Sequence, residues 1–150
     1  MDDGTAELTE DGIIRLGGWH PRYARVVLIE HDDRHAVVLV DGNGDDSELE
    51  LEYWHRDDDD DGDGGGGLWR PGSSSGHGSL ATMRSSSWDA GDFVAAIGRA
   101  EPASEVSLEY AGRAYRRRAN GFGAWGFVHT PGGVLGADLP AVTAVRPPQT

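Results

Sequence analysis

The clearest pattern in the chain is an unbroken apolar run, Ala36 to Val40, followed after Asp41-Gly-Asn-Gly-Asp45 by strict alternation from Glu48 to Tyr53. A short continuous apolar run reads as a strand buried on both faces, and alternation as a strand buried on one. The Gly/Asn/Asp turn between them makes the pair a β-hairpin. Leu49, Leu51 and Tyr53 then share one face, and Glu48, Glu50 and Glu52 the other. A one-residue slip would bury the glutamates, so the register is strongly specified. The glutamate face is expected to be solvated, and Trp54 falls on it.

Upstream, Arg22 to Glu30 contains the β-branched and apolar run Val26 to Ile29, with no Gly or Pro between Arg22 and Asp41. A single helix would spread apolar side chains around its whole circumference. Two strands joined across His31-Asp-Asp-Arg34 fit better. Runs 24–30, 35–41 and 47–55 therefore read as an antiparallel meander with the all-apolar run in the centre.

The rest of the chain is short runs and turns. Residues 1–11 read as a disordered acidic tail, and Ile13 to Leu16 as a short strand before Gly17-Gly18. Residues 57–67 combine clustered aspartates with glycines and read as a disordered loop. Leu68 to Pro71 resumes a strand, Gly72 to Ser79 is loop, Leu80 to Arg84 a further strand, and Ser85 to Asp92 a polar turn. Phe93–Ile97, Glu105–Tyr110, Arg113–Arg118, Phe122–His129 and Ala141–Val145 follow as strands, with Asn120-Gly121 as a hairpin turn. Residues 147–150 form a tail.

The fold class expected is all-β. An antiparallel meander (about 13–70) is packed with or followed by a small immunoglobulin-like β-sandwich (about 79–146). Together they make one domain, 12–146, of two sub-units, 12–71 and 79–146.

Composition narrows the chemistry. The net charge is -13 in 150 residues, which opposes nonspecific nucleic-acid binding and anionic membrane surfaces, so neither is an expected partner. Six aspartates between Asp57 and Asp63 carry much of that excess. Cysteine is absent, excluding disulfides and thiolate chemistry, and all 13 cationic side chains are arginine, excluding Schiff-base and P-loop lysines. The opening Met1-Asp-Asp-Gly4 has no basic or apolar leader pattern, so no signal peptide is expected and a cytoplasmic location is.

A resemblance enters at GRAEPASEVSLEYAGRAYRRRANGFGAWGFVHTPGG and LPAVTAV, within 98–145. The passage resembles a β-sandwich pattern recurring in uncharacterised proteins of GC-rich bacteria. AVVLVDGNG, LEYW and LWRPGSSSG are similar to the segments that precede it there. The resemblance implies an immunoglobulin- or fibronectin-like fold and carries no catalytic residue.

Motifs that look like chemistry fail on context. Gly72-Ser-Ser-Ser-Gly76 has the G-x-S-x-G form with Ser74 central, but no strand-to-helix elbow is predicted around it. Gly121-Phe-Gly-Ala-Trp-Gly126 is G-x-G-x-x-G leading into a strand, so no dinucleotide cofactor is expected. His31-Asp-Asp-Arg-His35 has zinc spacing only on a helix, with His55 or Glu52 as a further ligand. Asp41, Asn43, Asp45 and Glu52 reproduce most of an EF-hand spacing, between strands instead of helices. These four are the candidate metal ligands. Arg116 and Arg118, alternating with Arg117 on a strand, are candidate interaction residues, and Trp54 is a third. No enzyme activity and no cofactor are expected. The leading expectation is a non-enzymatic β module for protein interaction or structure; the alternative is weak cation or small-ligand binding by the acidic loops.

Overall fold

A computed structural model describes residues 6–45, 47–56, 67–130 and 139–148. Among the described residues are one α-helix, α1 (Glu10–Leu16), and ten strands. They are β1 (Arg25–His31), β2 (His35–Asp41), β3 (Leu49–Arg56), β4 (Trp69–Gly78), β5 (Ser86–Asp89), β6 (Val94–Arg99), β7 (Glu105–Tyr110), β8 (Arg113–Arg118), β9 (Ala124–His129) and β10 (Ala141–Arg146). The first sheet has the order β1-β2-β3-β4, the second β5-β6-β9 and the third β10-β7-β8. All pairings are antiparallel. The fold is all-β.

Alternation builds the layers. Val37 and Leu39 of β2 and Leu49 and Leu51 of β3 meet Ala95 and Ile97 of β6 and Ala124 and Val128 of β9. Val94, Ala96, Trp125 and Phe127 on the second sheet's other face meet Val106, Leu108 and Tyr110 of β7. On the far side of the first sheet, Ala36, Val38, Val40 and Trp54 pack with Ile13 and Ile14 of α1. The meander and the C-terminal strands are thus packed together, with β2 buried on both faces.

A bulge sets the entry to this arrangement. Val26 pairs with Val40 and Leu28 with Leu39, leaving Val27 unpaired in the ladder. Val27 and Leu28 consequently both join the core shared with the second sheet, while Val26 joins the α1 side. The Val27 carbonyl accepts from Asn120 Nδ2 at 2.7 Å.

Several expectations are corrected. Ile13 to Leu16 is helical, not a strand. Thr9 caps the helix, its side chain accepting from the Gly12 amide, and Glu10 and Asp11 lie at the positive N-terminal end. Leu8, within the expected tail, packs on the core beneath α1. The loop at 72–79 is instead the continuation of β4 to Gly78, Leu80–Thr82 is a 3₁₀ turn, and Ser86–Asp89 is a strand. Asn120-Gly121 does not close a hairpin, because β8 and β9 belong to different sheets. Its Asn120 Oδ1 accepts from the Phe122 and Ala124 amides, turning the chain from the third sheet into the second. The loop 57–67 lies outside the described residues except for Gly67, whose carbonyl accepts from Arg56 Nε.

The largest correction concerns the glutamate face. Glu52 is 6% exposed and Trp54 1%. The indole N–H of Trp54 donates to Glu52 Oε1 at 3.1 Å, and that of Trp19 to Oε2 at 2.9 Å. Two donors satisfy a carboxylate that would be prohibitively expensive to bury alone. β3 is therefore buried on both faces, like β2.

Candidate functional site

The expected metal set is not assembled. Asp41 pairs with Leu49, whereas Glu52 pairs with Val38, three positions further along the ladder. That offset is about 10 Å, and alternation sends the two side chains to opposite faces of the sheet. Asp41 is fully buried, meets Arg25 Nε at 3.3 Å and accepts from the Gly44 amide at 3.0 Å. Asp45 folds onto its own turn, accepting from the Ser47 amide and hydroxyl. Asn43 is exposed on the same turn. Each carboxylate has a structural task, and among the described residues no group of three or more His, Cys, Asp or Glu could hold a metal ion.

His31 and His35 also separate. The His31 ring meets Trp69 on the α1 side, and His35 stacks on Phe93 at 4.7 Å on the other. Ser74 lies in mid-strand, opposite Glu52. Trp54 is in the core, not on a binding surface.

The second polar cluster joins two sheets. Asp32 Oδ1 accepts from the Arg34 and His35 amides, and Oδ2 from the Thr130 amide. His35 Nδ1 hydrogen-bonds with Thr130 Oγ1 at 2.7 Å. Burial lowers the His35 pKa from its ordinary 6.5, outweighing the opposite pull of Asp32 and Asp92. Burial acts to raise that of Asp32, but the hydrogen bonds from Thr130, Arg34 and His35 together bring it below 3.8.

For both groups the folded state binds protons less readily than the unfolded one. The His35 contribution is present above pH 6.5 and is lost as pH falls from there through the folded pKa. Asp32 adds a loss below pH 3.8. Glu30 works oppositely: burial raises its pKa above 4.5 against the pull of Arg117, so its contribution fades as pH rises through the raised value. Burial also lowers the His77 pKa, adding to the loss below pH 6.5. Urea midpoints are therefore expected to fall between neutral pH and pH 5. Substituting His35→Gln should reduce that fall and leave the His77 share; an unchanged profile would contradict the assignment.

The surface that gathers exposed charge is the outward face of the third sheet. β7 lies between β8 and β10, with Glu105 opposite both Arg118 and Arg146, and Ser107 opposite Arg116. Three arginines thus surround one carboxylate. Arg116 Nε is 3.8 Å from Glu105 Oε1, with its side chain 73% exposed. Arg117 points inward, donating from Nε to Glu30 Oε1 at 2.8 Å and lying over the Phe127 ring. The alternation expected of this run is present.

Beside these arginines is an open groove of ≈ 430 Å³ lined by Ala103, Glu105, Arg118, Arg146, Pro147 and Pro148. Ala103 has φ +69°, a left-handed conformation costing a non-glycine residue about 1–2 kcal/mol. It turns the chain so that the Ala103 amide donates to Ala119 and Ser104 enters the interior. Arg146 and the two prolines were missed by sequence reasoning, since nothing local shows that β10 would return beside β7. Tyr23 and Phe122 are also exposed, with Arg25 over the Phe122 ring at 4.8 Å.

Comparison with family models, with curated proteins and with solved structures finds no match to this chain. Among the described residues no helix is long and apolar enough to cross a membrane.

Proposed function

We propose that this chain is a non-enzymatic β interaction module that docks an acidic polypeptide segment on the arginine face of its third sheet. The observation carrying this is the convergence of Arg116, Arg118 and Arg146 on a single carboxylate, Glu105, beside a groove. Guanidinium groups present rigid donor forks that fit carboxylates bidentately, and a sheet holds them at fixed spacing. The overall charge of -13 repels polyanions at long range, so a short acidic segment fits better than nucleic acid.

The non-enzymatic part is supported by where the catalytic patterns fall. Ser74 sits in mid-strand and Gly121 to Gly126 runs into β9. The facing second and third sheets support the immunoglobulin-like likeness as part of the same proposal.

Calorimetric titration with a synthetic glutamate-rich decapeptide tests the reading. Arg116→Glu with Arg118→Glu replaces two attractions by repulsions at exposed positions, together on the order of 1–2 kcal/mol. Binding should therefore weaken about tenfold. It should also weaken as salt screens the charges. Equal binding by the variant, or no heat from the native protein, would refute the proposal.

A further inference from the structure

β2 and β3 bring two imidazoles together that lie far apart in the chain. His35 is directly opposite His55 in their ladder. The Arg56 amide donates to the Arg34 carbonyl at 2.8 Å, so positions 34 and 56 are a hydrogen-bonded pair, and the adjoining His35 and His55 are a non-hydrogen-bonded one. In such a pair the Cα atoms are about 4.5 Å apart and the side chains leave the same face at closest approach. That face is the one shared with the second sheet. His35 stacks on Phe93, and Tyr53, two residues before His55, meets the same Phe93 ring at 5.5 Å. Both imidazoles are half-buried.

The two rings are held differently. His35 Nδ1 is engaged with Thr130 Oγ1, which leaves Nε2 as the nitrogen able to ligate. A metal-ligating histidine is ordinarily oriented in this way, with one ring nitrogen fixed by a hydrogen bond and the other left for the ion. The His55 ring has no hydrogen-bond or ring partner among the described residues. β4 places Gly72 beside it, where even a Cβ would lie 3.8 Å from His55 Nδ1. Charge around the pair is mixed. Asp32 and Asp92 favour a cation at His35, while His55 and Arg34 oppose one, and Arg70 stands opposite His55 on β4. Burial favours the neutral His35 ring, which is the form that ligates.

We propose that His35 and His55 together hold one divalent ion of the zinc or copper class, its remaining positions filled by water. Imidazole binds these ions, with zinc–nitrogen distances of about 2.0–2.1 Å, whereas magnesium and calcium take oxygen ligands. His31 is not part of the site, because its ring meets Trp69 on the sheet's other side. Two protein ligands make an exchangeable site, weaker than the closed four-ligand sites of structural zinc. The ion would clip β2 to β3 next to the Asp32 turn. The site lies on the first sheet and is independent of acidic-segment docking on the third.

Calorimetric titration of the full chain with zinc chloride, in a millimolar magnesium background that occupies oxygen sites, reads the binding. One saturable event is expected at neutral pH. His35→Gln and His55→Gln should each weaken it at least about tenfold, the lower end for changes even one shell further from a metal. His31→Gln should leave it unchanged. His55→Gln removes no hydrogen bond found among the described residues, so its loss of binding reads ligation and not unfolding. Copper(II), added as a paramagnetic probe, should broaden the amide resonances of His35, Tyr53, His55 and Thr130 first. Absence of zinc binding, undiminished affinity in His35→Gln or His55→Gln, an equal loss in His31→Gln, or broadening centred elsewhere would overturn the proposal.

Discussion

Replacing Trp54 by alanine is expected to destabilise the protein by about 3–5 kcal/mol, the range for truncating a large buried aromatic side chain. Trp54 is among the largest fully buried side chains, packed with Ile13, Val38 and Trp69 between the first sheet and α1. Truncation opens a cavity there and also takes the indole donor from Glu52 Oε1, leaving that carboxylate with the Trp19 donor at Oε2. The loss is a large fraction of the 5–15 kcal/mol typical of a domain. Equilibrium urea unfolding measures it. Trp54→Phe keeps most of the volume but not the N–H, and should cost about 1–3 kcal/mol. A loss for the alanine variant of under about 1 kcal/mol, the surface-substitution range, would mean that Trp54 is solvated after all.

Gly98→Ala should be a damaging single-methyl change, at about 2–3 kcal/mol. A Cβ at Gly98 would lie 2.6 Å from Trp125 Cε2 and 2.7 Å from Ser85 Oγ. Trp125 is 1% exposed, so its ring has little room to retreat without disturbing the core between the second and third sheets. Gly121→Ala is the matched control, because a Cβ there has nothing within 4 Å. Thermal unfolding should separate the two variants by several degrees. Coincident midpoints would show that the sheet tolerates the methyl group and that the close approach of β6 to Trp125 is not needed.

Much of the sheet framework was legible because strand periodicity depends on neighbours close in sequence. β1, β2, β3, β6, β7, β8 and β10 lie where apolar runs and alternation predict them, with β2 in the centre of the meander. What covers a face is a different matter. The alternation of β3 sorts Leu51 from Glu52 correctly, but a solvated face and one covered by α1 have the same period. The carboxylate becomes burial-compatible only through Trp19, 33 residues away in sequence. α1 was missed because Gly12 and two β-branched isoleucines argue locally against a helix. Its place comes from the Thr9 cap and from Ile13 and Ile14 entering the core.

The candidate site was half legible for the same reason. Arg116 and Arg118 share a face by simple alternation, as the run of arginines implies. Arg146 joins them only because β10 pairs on the far side of β7, a non-local pairing with no short-range signature. The acidic spacing from Asp41 to Glu52 misled in the opposite way: ligand-like intervals along a sequence mean little once a hairpin sends alternate residues to opposite faces. Turn chemistry accounts for Asp41 and Asp45, and core hydrogen bonding for Glu52.

The claim on which the functional account rests is that an acidic segment seats on the third sheet's outer face. Amide and arginine Nε–H resonances of the isotope-labelled protein, followed as a glutamate-rich peptide is added, test it most directly. The account predicts saturable shifts concentrated at Ala103, Glu105, Arg116, Arg118 and Arg146, vanishing at high salt. Shifts centred instead on Tyr23, Arg25 and Phe122, or spread evenly over the surface, would contradict it.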